Sequence, residues 1–152
     1  MKRPRLPIEG ACRCGGTRIA VSAGPIMTAA CHCLGCQRMS ASAFSLTAMV
    51  AAEAFAVTEG APVAGGLRGP ELDHRFCPQC LTWMFTRIAG AGFVNLRPTM
   101  FDDVSWFRPF IETCTAERLP WATTPARHRF AGFPPVEMYE SLMRAFAAEL
   151  HD

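Results

Sequence analysis

The sequence contains no internal repeat, no large excess of one charge and no apolar run that approaches the roughly 18 residues of a membrane span. Its 152 residues include 15 Lys and Arg against 13 Asp and Glu, a formal net charge of +2. Without a basic stripe, neither a nucleic-acid partner nor a membrane partner is expected. The start of the chain, MKRPRLPIEG, is basic, but no hydrophobic stretch follows it. We therefore expect no secretory signal and a cytoplasmic protein.

Length and composition are those of one globular domain. Half of the residues are hydrophobic and 18% are charged, which excludes a disordered tail protein. A chain of this length buries roughly two thirds of the surface that it exposes when unfolded. The fold can therefore have a substantial apolar core.

The eight cysteines are the most informative feature of the chain. Seven of them form three tight groups: Cys12-x-Cys14, Cys31-x-Cys33-x-x-Cys36 and Cys77-x-x-Cys80. Disulfides are disfavoured, because no export signal is visible and because a C-x-C spacing makes a strained disulfide. A tight turn between two cysteines instead directs both sulfurs at one point, as zinc coordination requires. The spacing therefore predicts metal binding.

Seven ligands divide naturally into four and three. A closed structural zinc site has four ligands, whereas a reactive site has three and keeps one position open. The C-x-C and C-x-x-C half-sites can combine into a four-cysteine site, which leaves the C-x-C-x-x-C group as a three-cysteine site. Spacing alone also allows Cys12 and Cys14 to combine with two of the middle three.

Alternating and β-branched segments predict a mainly β protein. The predicted strands cover 17–22, 26–30, 44–50, 54–58, 72–76, 83–88, 93–96 and 107–113. Residues 89–92 predict a hairpin turn, and 60–70, rich in Gly and Pro, predict a loop. A short helix is expected within 33–42, and residues 1–10 are expected to be an extended lead-in. Apolar residues at helical spacing predict an amphipathic C-terminal helix, which can pack on its own sheet or on the partner in a homodimer.

Three motifs give the chain a family resemblance. They are Gly10-Ala11-Cys12-Arg13-Cys14-Gly15, Cys31-His32-Cys33-Leu34-Gly35-Cys36-Gln37-Arg38 and Phe76-Cys77-Pro78-Gln79-Cys80. Over about residues 10–135, the sequence resembles the glutathione-dependent formaldehyde-activating enzyme family, which includes centromere protein V-like proteins. Weaker support comes from Phe101-Asp102-Asp103, Phe107-Arg108-Pro109 and Leu119-Pro120-Trp121.

The resemblance implies a zinc-stabilised, β-tent-like fold of short antiparallel sheets, followed here by a C-terminal helix. We expect a single zinc-binding domain over 1–152, with the family core at 10–135 and the helix at 135–151. The family pattern places a structural zinc on one set of cysteines: Cys12, Cys14, Cys77 and Cys80. It places a second, catalytic zinc on Cys31, Cys33 and Cys36. Zinc is thus the expected cofactor, with two ions per chain.

The activity that the resemblance implies is the addition of glutathione to formaldehyde, which gives S-hydroxymethylglutathione and is formally that of a carbon–sulfur lyase. Its partners are a small-molecule thiol such as glutathione and a small aldehyde. Three thiolates on Zn²⁺ leave a net charge of −1, which keeps a bound sulfur nucleophilic and suits this chemistry better than hydrolysis. The alternative is a non-catalytic, zinc-stabilised binding module, in which Cys114 or His32 closes the three-cysteine site.

Residues near the motifs carry weaker expectations. Arg38, two positions after Cys36, can meet a substrate carboxylate or remain a solvated helix residue. The side chain of His32 should point away from the sulfurs beside it, and Cys114 is either a core thiol or a reactive one. Glycines that often follow the helix and the second C-x-x-C in the family are replaced by Ala41 and Leu81.

Overall fold

Two β-sheets form the framework of the computed structural model, which describes residues 1–67 and 70–151. The strands are β1 (Ile8–Ala11), β2 (Arg18–Val21), β3 (Met27–Cys31), β4 (Ser45–Ala51), β5 (Phe55–Glu59), β6 (Val63–Ala64), β7 (Leu72–Phe76), β8 (Trp83–Ile88), β9 (Phe93–Leu96), β10 (Ile111–Thr113) and β11 (His128–Arg129). The helices are α1 (Leu34–Ser40) and α2 (Tyr139–Glu149), with short 3₁₀ turns at Ala52–Ala54, Pro98–Met100, Thr115–Glu117 and Val136–Met138. The protein is therefore mainly β with a C-terminal helix, as the sequence predicts.

The two sheets differ in size and pairing. One has three antiparallel strands in the order β1-β2-β5, and the other has the order β11-β10-β3-β4-β9-β8-β7-β6. In the larger sheet β10 runs parallel to both β3 and β11, while the other pairs are antiparallel. The expectation of short antiparallel sheets is thus incomplete, because the larger sheet is mixed.

Local sequence explains the most regular part of the larger sheet. The predicted strands 83–88 and 93–96 coincide with β8 and β9. Between them the chain reverses at Gly90, which has a φ of +73°, a conformation that glycine adopts without steric cost. The register that follows from this hairpin places Thr86 opposite Asn95.

Three predictions at the edges of the sheets are wrong in extent. The lead-in contains β1, which pairs with β2. The predicted loop 60–70 contains β6, which pairs with the end of β7, while residues 68 and 69 lie outside the described residues. The predicted strand 107–113 is reduced to β10, because Phe107 closes a turn on Val104 and Pro109 has no amide hydrogen to donate.

The C-terminal helix packs on its own chain. Leu142 and Phe146 are its buried residues, and Phe146 meets Phe110 edge-to-face with ring centroids 5.5 Å apart. Together with Met27 and Ile111 these side chains form a second apolar cluster on the larger sheet. No helix among the described residues combines the length and apolarity that a membrane crossing requires.

Candidate metal and substrate site

Four cysteines from two distant loops meet at one point. Cys12 and Cys14 follow β1, whereas Cys77 and Cys80 follow β7, and the four sulfurs all lie within 4.8 Å of one another. The Cys14 sulfur is 3.5 Å from that of Cys12 and 3.7 Å from that of Cys77. These are the cysteines that the family pattern groups together, and the cluster can hold a metal ion.

Tight turns aim these sulfurs. The amide of Gly15 donates to the carbonyl of Cys12, and the amide of Leu81 donates to the carbonyl of Cys77. Gly15 has a φ of +77°, and Leu81 has a φ of +57°. Left-handed backbone is costly for a residue with a Cβ, which explains why the family often has glycine where this chain has Leu81.

Hydroxyl groups surround the four-cysteine cluster. The Thr82 Oγ1 lies 3.1 Å from the Cys80 sulfur, and hydrogen bonds from Thr82 lower the pKa of Cys80 to about 5. The pKa of Cys77 is also lowered, mainly by a hydrogen bond from the Cys80 backbone, and the Thr17 hydroxyl acts in the same direction. These donors stabilise the thiolate form that a metal ligand needs.

The second cluster comes from a single segment. Cys31 ends β3, Cys33 is the N-cap of α1, and Cys36 lies in the first turn of that helix. The Cys36 amide donates to the Cys33 sulfur over 3.3 Å, so the helix start itself orients the sulfurs. The three sulfurs lie within 4.8 Å of one another, and all three residues are half-buried.

Charge within the three-cysteine cluster is unevenly shared. A hydrogen bond from Cys36 lowers the pKa of Cys31 to about 5, and the Thr113 hydroxyl acts in the same direction. The same hydrogen bond is the main reason that the pKa of Cys36 is raised, and burial of Cys36 adds to it. The Ser45 hydroxyl acts in the opposite direction. Cys31 is therefore the thiol that ionises first.

A polar strip crosses the larger sheet beside this cluster. Paired residues of neighbouring strands lie on the same face, and the register pairs Thr113 with Cys31 and Cys31 with Ser45. Farther along the same face, Thr86 of β8 is paired with both Asn95 and His74. The members of the polar strip are Thr113, Cys31, Ser45, Thr47, Asn95, Arg97, Thr86 and His74.

The sequence analysis missed most of this strip. Its signal is the alternation of polar residues with buried apolar ones, as in Val94-Asn95-Leu96-Arg97. The apolar partners Val94 and Leu96 belong to the main core on the opposite face of the sheet. Polar residues at the alternate positions of an otherwise buried strand can mark a site, but only the strand order shows that they meet Cys31.

Arg97 is the buried cation of the polar strip. It is only 9% exposed, and its guanidinium carbon lies 4.1 Å from the centre of the Trp83 ring. Burial lowers the pKa of Arg97 to about 10, which negative charge on Cys36 and Cys31 opposes. Burial, followed by the charge of Arg97, lowers the pKa of His74. At neutral pH the strip therefore carries a positive charge next to the three cysteines.

His32 points away from the cluster, as expected. Its Nε2 lies 3.2 Å from Glu112 Oε1, and both side chains are fully buried. Glu112 also accepts hydrogen bonds from the Thr124 hydroxyl and from Arg129, each over 2.8 Å. Burial disfavours the carboxylate, but these hydrogen bonds and the charge of Arg129 hold the pKa of Glu112 below its usual value.

The two remaining candidates lie at the margins of the site. Arg38 is exposed in the last turn of α1. Cys114 is buried at the end of β10 with a φ of +56°, and burial, then the charge of Cys31, raises its pKa to about 12. Cys114 interacts with Cys31 but is not within the compact group that Cys31 forms with Cys33 and Cys36.

Comparison with known families accounts for this arrangement of cysteines. The family model described as "glutathione-dependent formaldehyde-activating enzyme" matches residues 7–117. The chain belongs to this family. The matched region includes both cysteine clusters and ends before Leu119-Pro120-Trp121 and α2.

A solved structure supports the fold of this family member. A crystal structure of a Rhodobacter sphaeroides protein aligns with a TM-score of 0.52 at 19% identity, over 62% of this chain and 87% of that one. At such low identity the likeness concerns the fold alone. No curated protein sequence matches the chain.

Proposed function

We propose that this protein is a zinc-dependent carbon–sulfur lyase that adds glutathione, or a related small thiol, to formaldehyde or another small aldehyde. Family membership supports the substrate pair. The observation that carries the proposal is the inequality of the two clusters: four cysteines against three. A polar strip beside the smaller cluster gives substrates a surface on which to bind.

Zinc fits both clusters. Tetrahedral coordination at a zinc–sulfur distance of about 2.3 Å requires sulfurs about 3.8 Å apart, and two sulfur–sulfur distances in the larger cluster are 3.5 and 3.7 Å. Donor sets made only of cysteine sulfur favour zinc over calcium or magnesium. We assign a structural ion to the four cysteines and a catalytic ion to Cys31, Cys33 and Cys36, two per chain.

The reaction needs no oxidant or reductant. The thiol sulfur bonds to the carbonyl carbon, the π electrons of the C=O bond move to oxygen, and the proton from the thiol ends on that oxygen. When bound, zinc keeps a coordinated thiol deprotonated. The Thr113 hydroxyl acts to lower the pKa of Cys31 and the Ser45 hydroxyl acts to lower that of Cys36, which favours the thiolates that a metal ion binds.

Arg38 has a proposed role at the rim of the site. It follows Cys36 by two residues on α1 and is exposed. Glutathione carries two carboxylates, and an exposed guanidinium on the helix that bears two of the cysteines can meet one of them. Arg38→Gln is then expected to raise KM for glutathione about two- to fivefold without changing kcat, since exposed ion pairs contribute little.

The proposal is tested by exchange rather than by product yield, because thiols and formaldehyde also combine without a catalyst. Two-dimensional NMR exchange spectroscopy measures the rate at which free glutathione and its hydroxymethyl adduct interconvert. Zinc-loaded protein is expected to raise this rate, and Cys33→Ser at the same concentration is expected to return it to the spontaneous value. Equal rates with wild type and with Cys33→Ser would refute the activity.

A non-catalytic binding module is the second candidate, and the influence of Cys31 on the pKa of the buried thiol of Cys114 favours it. If Cys114 moves in to close the smaller site, no position remains for a substrate thiol. X-ray absorption at the zinc edge counts the sulfur donors per ion. The enzyme proposal expects the same average count for wild type and Cys114→Ser, whereas the binding-module proposal expects a lower count in the variant.

A further inference from the structure

Arg97 is the buried cation of the polar strip. Within residues 1–67 and 70–151 it forms no ion pair. Its Nη2 donates to the Asn95 carbonyl over 3.2 Å, but its Nε is buried and has no partner among the described residues. Unpaired buried charges and unmade hydrogen bonds both reduce stability, so their retention needs a reason.

Asn95, the neighbour of Arg97 on the polar strip, has a hydrogen-bond acceptor that is also unused. The Asn95 Oδ1 is a buried acceptor without a partner in the described part of the chain. Asn95 and Arg97 are two positions apart, so they share a face of the sheet. An unused donor on a cation and an unused acceptor thus belong to residues two positions apart on one face, which is the pattern that the carboxylate and ammonium of an α-amino acid would complete.

The surroundings also suit an anion. The flat face of Trp83 supports the guanidinium at 4.1 Å, which fixes its plane as bidentate carboxylate recognition requires. The charge of Arg97 already interacts with Cys36 and Cys31. Asn95, Thr47 and Cys31 are half-buried rather than enclosed, so a ligand at the cysteines can extend along the strip.

We propose that Arg97 and Asn95, supported by Trp83, form a binding subsite for a carboxylate-bearing end of the thiol substrate, beside the three-cysteine cluster. The subsite rests on the proposed function for the identity of its ligand, with the α-amino-acid end of glutathione as the best match. It makes Arg97 a specificity determinant for acidic thiols over neutral ones. Removal of Arg97 should therefore weaken binding of the acid and spare binding of an analogue without carboxylates.

The test separates binding from reaction. S-Methylglutathione has no free thiol, so its binding does not depend on turnover, and its diester lacks both carboxylates. Calorimetric titration of the zinc-loaded, full-length protein measures the affinity for S-methylglutathione. We expect Arg97→Gln to weaken this affinity at least tenfold and Arg97→Lys to weaken it less. Arg87→Gln is the matched control, since Arg87 also stacks on aromatic rings, those of Phe55 and Phe85, but projects from the other face of β8. It should change the affinity less than twofold.

A second variant keeps the proposal testable if Arg97→Gln does not fold. Asn95→Asp places a carboxylate beside Arg97 and fills the subsite from within, so it should raise the melting temperature while abolishing binding of S-methylglutathione. The subsite is refuted if wild type does not bind S-methylglutathione, or if Arg97→Gln binds it normally. It is also refuted if Arg97→Gln lowers the affinities for the acid and for the diester by the same factor. Failure of the exchange assay with retained, Arg97-dependent binding would instead refute the proposed reaction alone.

Discussion

The imidazole of His32 and the carboxylate of Glu112 are fully buried and 3.2 Å apart, directly behind the segment that carries the three cysteines. Because β3 alternates, Cys31 faces the polar strip while His32 faces Glu112. Gln37 adds to this support, since its amide donates to the His32 carbonyl over 2.6 Å and to the Glu117 carbonyl over 2.9 Å. The backbone that aims the sulfurs is thus held from the opposite side of the strand.

Replacement of Glu112 by Gln should therefore destabilise the protein. The change leaves Arg129 and His32 without their charged partner, and loss of one member of a buried network costs about 2–4 kcal/mol. Urea unfolding at pH 7 measures the difference from wild type. Glu140→Gln on the exposed face of α2 is the control and should change the free energy of unfolding by less than about 0.5 kcal/mol.

The difference in the free energy of unfolding between wild type and Glu112→Gln should depend on pH in one direction. The pKa of Glu112 is lower in the folded state than its ordinary 4.5, so its carboxylate contributes stability above pH 4.5 that is lost as pH falls through the folded pKa. The gap in the free energy of unfolding between wild type and Glu112→Gln should accordingly narrow as pH falls below 4.5. A gap that widened in acid would contradict the assigned direction.

Leu81 occupies left-handed backbone directly after the Cys77–Cys80 pair, and its side chain is 69% exposed. Glycine removes the clash of the Cβ and loses little burial, so Leu81→Gly should raise the free energy of unfolding by about 0.5–1 kcal/mol. Ala41→Gly, at a φ of +48° after α1, should act likewise. Leu34→Gly at the start of α1 is the control, because glycine there replaces a residue in helical backbone. Chemical denaturation should show that this variant lowers the free energy of unfolding by about 0.5–1 kcal/mol.

The sequence predicts the metal-binding residues better than the surface on which they act. The C-x-C and C-x-x-C spacings mark Cys12–Cys14 and Cys77–Cys80 as two pairs of metal ligands, and the family pattern joins the two pairs in one site. The sequence around Arg97 gives no such signal. Its position near Cys31 follows from the strand order β3-β4-β9, which the sequence alone does not reveal. The short strands β1 and β6 were missed for the same reason: their pairing partners, and not their own few residues, make them strands.

Loss of one ligand should have different consequences in the two clusters. Cys77 is 1% exposed and ties the β7 turn to the loop after β1, so Cys77→Ser should remove a link between distant segments and lower the melting temperature by about 10 °C or more. Cys33→Ser affects a cluster within one segment and should reduce bound zinc from two ions to one with a smaller loss. Mass spectrometry of the metal content and thermal unfolding measure the two effects. Equal destabilisation by both variants would argue against a structural and a catalytic ion.

The C-terminal helix lies beyond the residues that the family model matches, yet Phe146 is fully buried against Phe110. Removal of a buried aromatic side chain leaves a cavity and costs about 3–5 kcal/mol, so Phe146→Ala should be among the most destabilising single changes outside the cysteine clusters. The exposed Glu140→Ala on the same helix should be close to neutral. Because Phe110 directly precedes β10, which pairs with β3 beside Cys31, loss of the helix should also loosen the three-cysteine segment. Hydrogen exchange of the Cys31 and His32 amides, faster in Phe146→Ala than in Glu140→Ala, would show that the C-terminal helix supports the site, whereas unchanged exchange would confine its role to overall stability.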